Sequence, residues 1–265
     1  MLNLTKTLLL ATAIMLGFGA TAQAGLKSET VTYTVDGQEL TGYLVYDEAI
    51  SGKRPGVIVV HEWWGHDAYA RSRAEKLAAE GYTAFALDMY GTGKLADHPK
   101  DAGAMVKEVF AKEGRMVARF NAALDIIKAH ETVDATKTGA IGYCFGGNVI
   151  LNMARAGADL NAVAAFHASL GGIAPDVPSE VKAKVRVYNG ADDPFIKPEN
   201  LEAFNASMAA AGANYEYIAY PGVVHSFTNP EASARGEKLG LPLKYDEKAD
   251  TDSWMQAMDL FKEAF

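Results

Sequence analysis

Residues 137–157 read KTGAIGYCFGGNVILNMARAG. KTGAIGY (137–143) is a short run of small and apolar residues that predicts a strand. GNVILNMARAG (147–157) carries apolar residues at helical spacing and ends on a glycine, which predicts a helix. Gly142-Tyr143-Cys144-Phe145-Gly146-Gly147 joins the two. A turn that sharp strains the residue at its tip, and side chains two positions to either side collide. Gly142 and Gly146 remove those side chains, and Gly147 allows close packing. The tip residue, Cys144, is the one cysteine of the chain. It then stands at a helix N-terminus, where the dipole favours a thiolate. A plainer reading of the same residues is a small buried cysteine beside packing glycines.

The sequence on both sides supports the strand–turn–helix reading. PGVIVV (55–60) is a continuous β-branched run, as in a strand buried on both faces. DAYARSRAEKLAAEG (67–81) predicts a helix with Asp67 as its N-cap and Gly81 as its stop. YTAFALDMY (82–90), NAVAAFHAS (161–169), KVRVYNG (184–190) and YEYIAYPG (215–222) are further strand candidates. One or two helices fit 99–130, with others near 198–212 and 252–264. ETVTYTV (29–35), the turn Asp36-Gly37 and ELTGYLVY (39–46) form an antiparallel hairpin. Strands that alternate with helices give an α/β fold with a mainly parallel sheet covered on both faces. Ligands in such sheets lie beyond the C-terminal strand ends, so functional residues are expected just after strands.

Three segments after strands carry chemistry. Gly142–Gly146 has the G-x-nucleophile-x-G pattern with Cys in place of Ser, and Phe145 N–H points at an incoming carbonyl oxygen. YNGADDPF (188–195) ends a strand in an acidic pair, and PGVVHSF (221–227) places His225 after the next strand. Nucleophile, acid, histidine is the α/β-hydrolase chain order. His225 is the expected general base. Asp193 is preferred to Asp192 as its partner, from its spacing to Gly190 and the Pro-Phe-Ile that follows. The fourth segment, VVHEWWGHD (59–67), invites comparison with H-E-x-x-H zinc helices. His61 and His66 are five apart on a strand end and a loop, so they share no helix face, and no metal or cofactor is expected. The loop is read instead as the source of a second oxyanion donor, Trp63 N–H. Glu62 is expected near the thiol, either accepting its proton or raising its pKa, with an ion pair under the loop as the alternative.

Taken in order, the hairpin, HEWWG, LDMYG, GYCFGG, GADDPF and HSF resemble the dienelactone hydrolase family across nearly all of residues 29–265. The resemblance implies an α/β-hydrolase fold and a Cys-Asp-His triad at Cys144, Asp193 and His225. It further implies that Glu62 takes the thiol proton at rest, and that Trp63 and Phe145 supply the oxyanion amides. It also marks departures. Family arginines that hold a substrate carboxylate are replaced here by Thr92 and Asn229, with Lys94 as a nearby cation. A small anionic lactone fits that pattern poorly.

Trp64, Tyr90 and Phe227 are expected to line an apolar substrate pocket, and Trp63, Phe145 and Phe195 also flank the centre. His167, after a strand, is expected to be structural. TNPEASARGEKLGLPLKYDEKADT (228–251) reads as a long polar flap beside His225.

Composition bounds the function. The chain has 265 residues and a net charge of −8, which disfavours nucleic acid or an anionic membrane as partner. Lys6, LLLATAIMLGF (8–18) and AQA (22–24) read as an export signal. The expected organisation is a leader over 1–24 and one domain over 25–265, periplasmic or secreted and not inserted in a membrane. The expected activity is hydrolysis of a small ester or lactone through an acyl-thioester. A non-catalytic binding protein on the same scaffold and a one-cysteine peroxide scavenger are the competing readings.

Overall fold

The computed structural model describes residues 25–172 and 180–265, so the expected leader over 1–24 lies outside the described residues. The chain order is β1 (Leu26–Val35), β2 (Gln38–Asp47), β3 (Arg54–Val60), α1 (Ala68–Ala79), β4 (Thr83–Leu87), α2 (Pro99–Ala111), α3 (Arg115–Ala129), β5 (Val133–Tyr143), α4 (Phe145–Arg155), β6 (Ala162–Phe166), β7 (Lys184–Gly190), α5 (Pro198–Ala210), β8 (Tyr215–Tyr220), α6 (Ala232–Leu239) and α7 (Glu247–Ala264). The strands form one sheet in the order β1-β2-β4-β3-β5-β6-β7-β8. β1 and β2 pair antiparallel, as do β2 and β4. The pairs from β4 through β3, β5, β6 and β7 to β8 are parallel. The hairpin turns at Asp36 and Gly37, both at positive φ, as its Asp-Gly pair requires.

The continuous apolar runs follow from burial on both faces. In β3, Ile58 and Val60 pack toward α2, α3, α4 and α5, while Val57 and Val59 pack toward α1 and α7. β4 divides in the same way, with Phe85 and Leu87 on one side and Ala84 and Ala86 on the other. A strand sandwiched so has no solvent face, and strict apolar–polar alternation disappears.

Several expected boundaries shift for local reasons. The strand expected over 82–90 stops at Leu87, because the Asp88 carboxylate accepts from Tyr90 and Gly91 N–H and turns the chain. Residues 99–130 form two helices, broken at Gly114 with φ 75°. The expected flap over 228–251 instead contains α6 and the first turn of α7. It is tied down on both sides. Lys244 N–H donates to His225 O at 3.1 Å and Asp246 N–H to Phe227 O at 3.0 Å. Thr228 Oγ1 meets Tyr69 Oη at 2.6 Å and His167 Nε2 at 2.8 Å. Arg73 donates to Thr228 O and, at 2.8 Å, to Asp250 Oδ1.

That Arg73–Asp250 pair is buried and joins α1 to α7 beneath the His225 segment. Removing one partner of such a pair strands a charge and costs about 3–5 kcal/mol. Asp250→Ala is therefore expected to lower the unfolding free energy by about that amount in urea titrations. A loss below about 1 kcal/mol contradicts this account.

Candidate active site

Every parallel strand that borders the site ends in a residue the sequence singled out. Glu62 and Trp63 follow β3, Cys144 follows β5, His167 follows β6, Asp193 follows β7 and His225 follows β8. The sheet's parallel direction thus delivers separate chain segments to one edge.

The cysteine turn is as tight as its glycines imply. Cys144 has φ 53° and ψ −112°, caps α4, and is half-buried. A Cβ on Gly142 would meet Gly146 O at 2.3 Å, and one on Gly146 would meet Val60 O at 2.3 Å. A Cβ on Gly147 would meet Ala168 Cβ at 2.6 Å. Backbone fills those spaces, so no larger residue fits without moving β3 or the strand end at Ala168. Phe145 N–H opens α4, where a helix leaves its amides unpaired. Among the described residues, neither Phe145 N–H nor Trp63 N–H is bonded to a backbone carbonyl.

Asp193 reaches the histidine, and Asp192 does not. His225 Nδ1 lies 2.7 Å from Asp193 Oδ2, while Phe195 N–H donates to Asp193 Oδ1 at 2.8 Å. Asp192 is solvent-exposed. The approach depends on Gly190, where a Cβ would lie 2.1 Å from Val223 O. With Nδ1 held by the carboxylate, Nε2 is left for the Cys144 sulfur, whose interaction favours the charged ring. Burial opposes charge on His225, but the sulfur and then Asp193 outweigh it and raise the imidazole to about 10. The ring of Phe195 stands edge-on to His225 at 5.0 Å.

Glu62 is buried beside this group, but it faces the histidine segment. Ser226 Oγ donates to Glu62 Oε1 at 2.6 Å and Asn229 Nδ2 to Oε2 at 2.7 Å. Burial raises its carboxyl above the usual range, and those two donors work against that rise. Ser226 has φ 57°, a left-handed conformation unfavourable for serine, so the Glu62 bond holds a strained residue next to His225. Neither Ser226 nor Asn229 was assigned a part as partner of Glu62 from the sequence. The only available signal was their distance of one and four residues from the histidine.

The other candidates separate into lining and support. A cleft of about 480 Å³ opens at Cys144, lined by Trp63, Val106, Phe110, Phe145, Asn148 and Ser169, with Gly171 and Gly172 at one end. The expected lining residues Trp64, Tyr90 and Phe227 are not part of it. Tyr90 is buried and donates to Trp63 O at 3.0 Å, fixing the loop from behind. Trp64 is buried under the Arg235 guanidinium, 4.6 Å away. Phe227 is fully buried against His167 and Tyr220. Val106 and Phe110 come from α2, which carries no motif, and an apolar residue on a helix reads as core. His167 is structural. Its ring lies edge-on to His225 at 5.2 Å, and burial holds its pKa well below the ordinary value, so it packs as a neutral ring. His61 bonds Glu62 O at 2.5 Å and accepts from Met89 N–H at 3.2 Å.

The model of the dienelactone hydrolase family matches residues 40–265. Protein usf of Aquifex pyrophilus is 27% identical over 239 residues, spanning 89% of this chain and 98% of its own length. Among solved structures, a dienelactone hydrolase-like promiscuous phosphotriesterase from metagenomic libraries is 32% identical with a TM-score of 0.83, covering 91% of this chain and 100% of that one. A protein named m3DLH is 34% identical with a TM-score of 0.86 and the same coverage.

The raised His225 imidazole sets the pH dependence of stability. A group whose pKa rises on folding stabilises fully below its unfolded value and loses that contribution as pH climbs through the folded value. Stability is expected to fall progressively from pH 6.5 to about 10. Urea midpoints across that window measure it. Cys144→Ala is expected to flatten the slope, since the sulfur helps hold the proton; an unchanged slope contradicts the pairing.

Proposed function

We propose, for a chain that belongs to the dienelactone hydrolase family and is a hydrolase of ester or lactone bonds, that the chemistry runs through Cys144 as nucleophile with His225 and Asp193. The observation that carries this reading is the strained Cys144 at the N-terminus of α4, with a histidine whose charge the sulfur favours and whose Nδ1 hydrogen-bonds a buried aspartate.

In this mechanism the Cys144 sulfur attacks the substrate carbonyl carbon. The carbonyl oxygen takes up negative charge between Trp63 N–H and Phe145 N–H. When the tetrahedral adduct collapses, His225 gives its Nε2 proton to the departing alcohol oxygen, leaving an acyl-thioester. His225 then takes a proton from water, the hydroxide adds to the thioester, and the acid leaves as the sulfur regains its pairing with the imidazolium. Asp193 holds Nδ1 and stabilises the charged ring.

Glu62 is a positioning residue in this scheme. Both of its oxygens are engaged by Ser226 and Asn229, so it ties the oxyanion loop to the histidine segment. The family resemblance suggests the different role of resting partner for the thiol. The leader read over residues 1–24 supports export of the remaining chain. No described helix is long and apolar enough to cross a membrane.

Two measurements test the reading. With p-nitrophenyl hexanoate, an acyl adduct is expected on Cys144 by intact-mass spectrometry. Cys144→Ala is expected to lose the adduct and at least about 10³-fold in kcat/KM. Full activity in the variant refutes the mechanism. Glu62→Ala is expected to lose about 10²-fold in kcat through misplacement of His225. Glu62→Gln keeps an oxygen for Ser226 and is expected to stay within about tenfold of the parent. If Gln is as damaging as Ala, the carboxylate acts on a proton instead.

A further inference from the structure

We infer that the acyl side of the substrate is uncharged and apolar, and that the cleft beside Cys144 discriminates against esters whose acyl group carries a carboxylate. This rests on the reading of Cys144 as nucleophile.

The cleft's volume suits a small molecule. Its walls are the rings of Trp63, Phe110 and Phe145 and the side chain of Val106. Phe110 is 43% exposed and stands edge-on to Phe145 at 6.0 Å, so an apolar rim continues from the mouth to the cysteine. Apart from the thiol, no lining side chain among the described residues is ionisable.

The Asn148 amide at the cleft is already committed. Asn148 Nδ2 donates to Ser169 O at 2.9 Å and to Gly171 O at 3.0 Å, and its Oδ1 accepts from Asn152 at 2.9 Å. Asn229 and Ser226 are turned to Glu62. No lysine or arginine is among the described lining residues. Arg71 and Lys94 line a separate cavity of about 220 Å³, which shares no lining residue with the cleft. A carboxylate entering between these apolar walls loses its water and meets no charged side chain among the described lining residues in exchange. Desolvating an unpaired anion is costly enough to dominate substrate choice, whereas a methyl group in the same place gains burial.

The test uses two p-nitrophenyl esters of equal chain length, the hexanoate and the adipate half-ester. The terminal methyl of one is the carboxylate of the other. The whole protein is expected to favour the hexanoate by at least about 100-fold in kcat/KM. Phe110→Arg places a guanidinium at the rim and is expected to narrow that ratio at least tenfold, mainly by faster turnover of the adipate ester. Turnover of the two esters within tenfold of each other by the parent protein overturns the inference. A preference for hexanoate that Phe110→Arg leaves unchanged also overturns it, because the discrimination then arises outside this cleft. Intact-mass spectrometry separates the two readings. An acyl adduct on Cys144 with either ester keeps the nucleophile and leaves the ratio to decide the substrate class. No adduct with either ester removes the nucleophile, and the substrate class with it.

Discussion

The site depends on one close approach of backbone to backbone. The start of α4 presses on the last carbonyls of β3, so closely that a single methyl at Gly146 would sit 2.3 Å from Val60 O. That contact holds Cys144 at φ 53° where α4 opens at Phe145 N–H. On a relaxed turn the side chain would swing among rotamers. Strain at Cys144 is therefore tolerated because packing on three sides over-determines it. The same device recurs on the other side of the site. Gly190 lets the acid loop lie against Val223, which brings Asp193 within 2.7 Å of His225.

Charge is arranged around a single histidine. Asp193 bonds its ring, and Glu62 approaches the following residues through Ser226 and Asn229. Neighbouring rings flank it, with Phe195 edge-on to His225 on one side and His167 on the other. His167 serves here because it stays neutral. A second imidazolium at 5.2 Å would oppose the charge that Asp193 and the cysteine favour on His225. Its own bond, from Nε2 to Thr228, passes that constraint on to the segment anchored by Arg73.

What the sequence made legible were the features with obligatory local chemistry. A G-x-C-x-G turn between strand and helix has few structural solutions, and so does an Asp-Gly hairpin. Parallel strands ending in Cys144, Asp193 and His225 follow from chain order. Residues whose role depends on long-range approach were harder to read. Phe110 lines the cleft only because α2 brings it against Phe145 at the start of α4, and nothing within α2 marks that face. Trp64, Tyr90 and Phe227 share the aromatic character of the cleft yet are buried behind it, since a ring next to a motif can point either way. The stretch over 228–251 is polar because α6 and the start of α7 are surface helices, and polarity alone does not separate such helices from a flap.

Asn229 shows how one residue of the histidine segment bears on the buried acid. The resemblance places a carboxylate-binding arginine there. In this chain the position holds an amide, which donates to Glu62 at 2.7 Å. A guanidinium brings charge and more donors than one acid can occupy, so it can serve the buried glutamate and an anionic ligand together. An amide bonded to Glu62 leaves that acid with neutral donors only, and burial then pushes its carboxyl upward. The charge of His225 lowers it in turn. The two groups are thereby coupled. Protonation of His225 favours an ionised Glu62, and each proton the ring surrenders during turnover makes that buried charge harder to sustain. An amide at this position thus leaves the glutamate dependent on the histidine segment it holds.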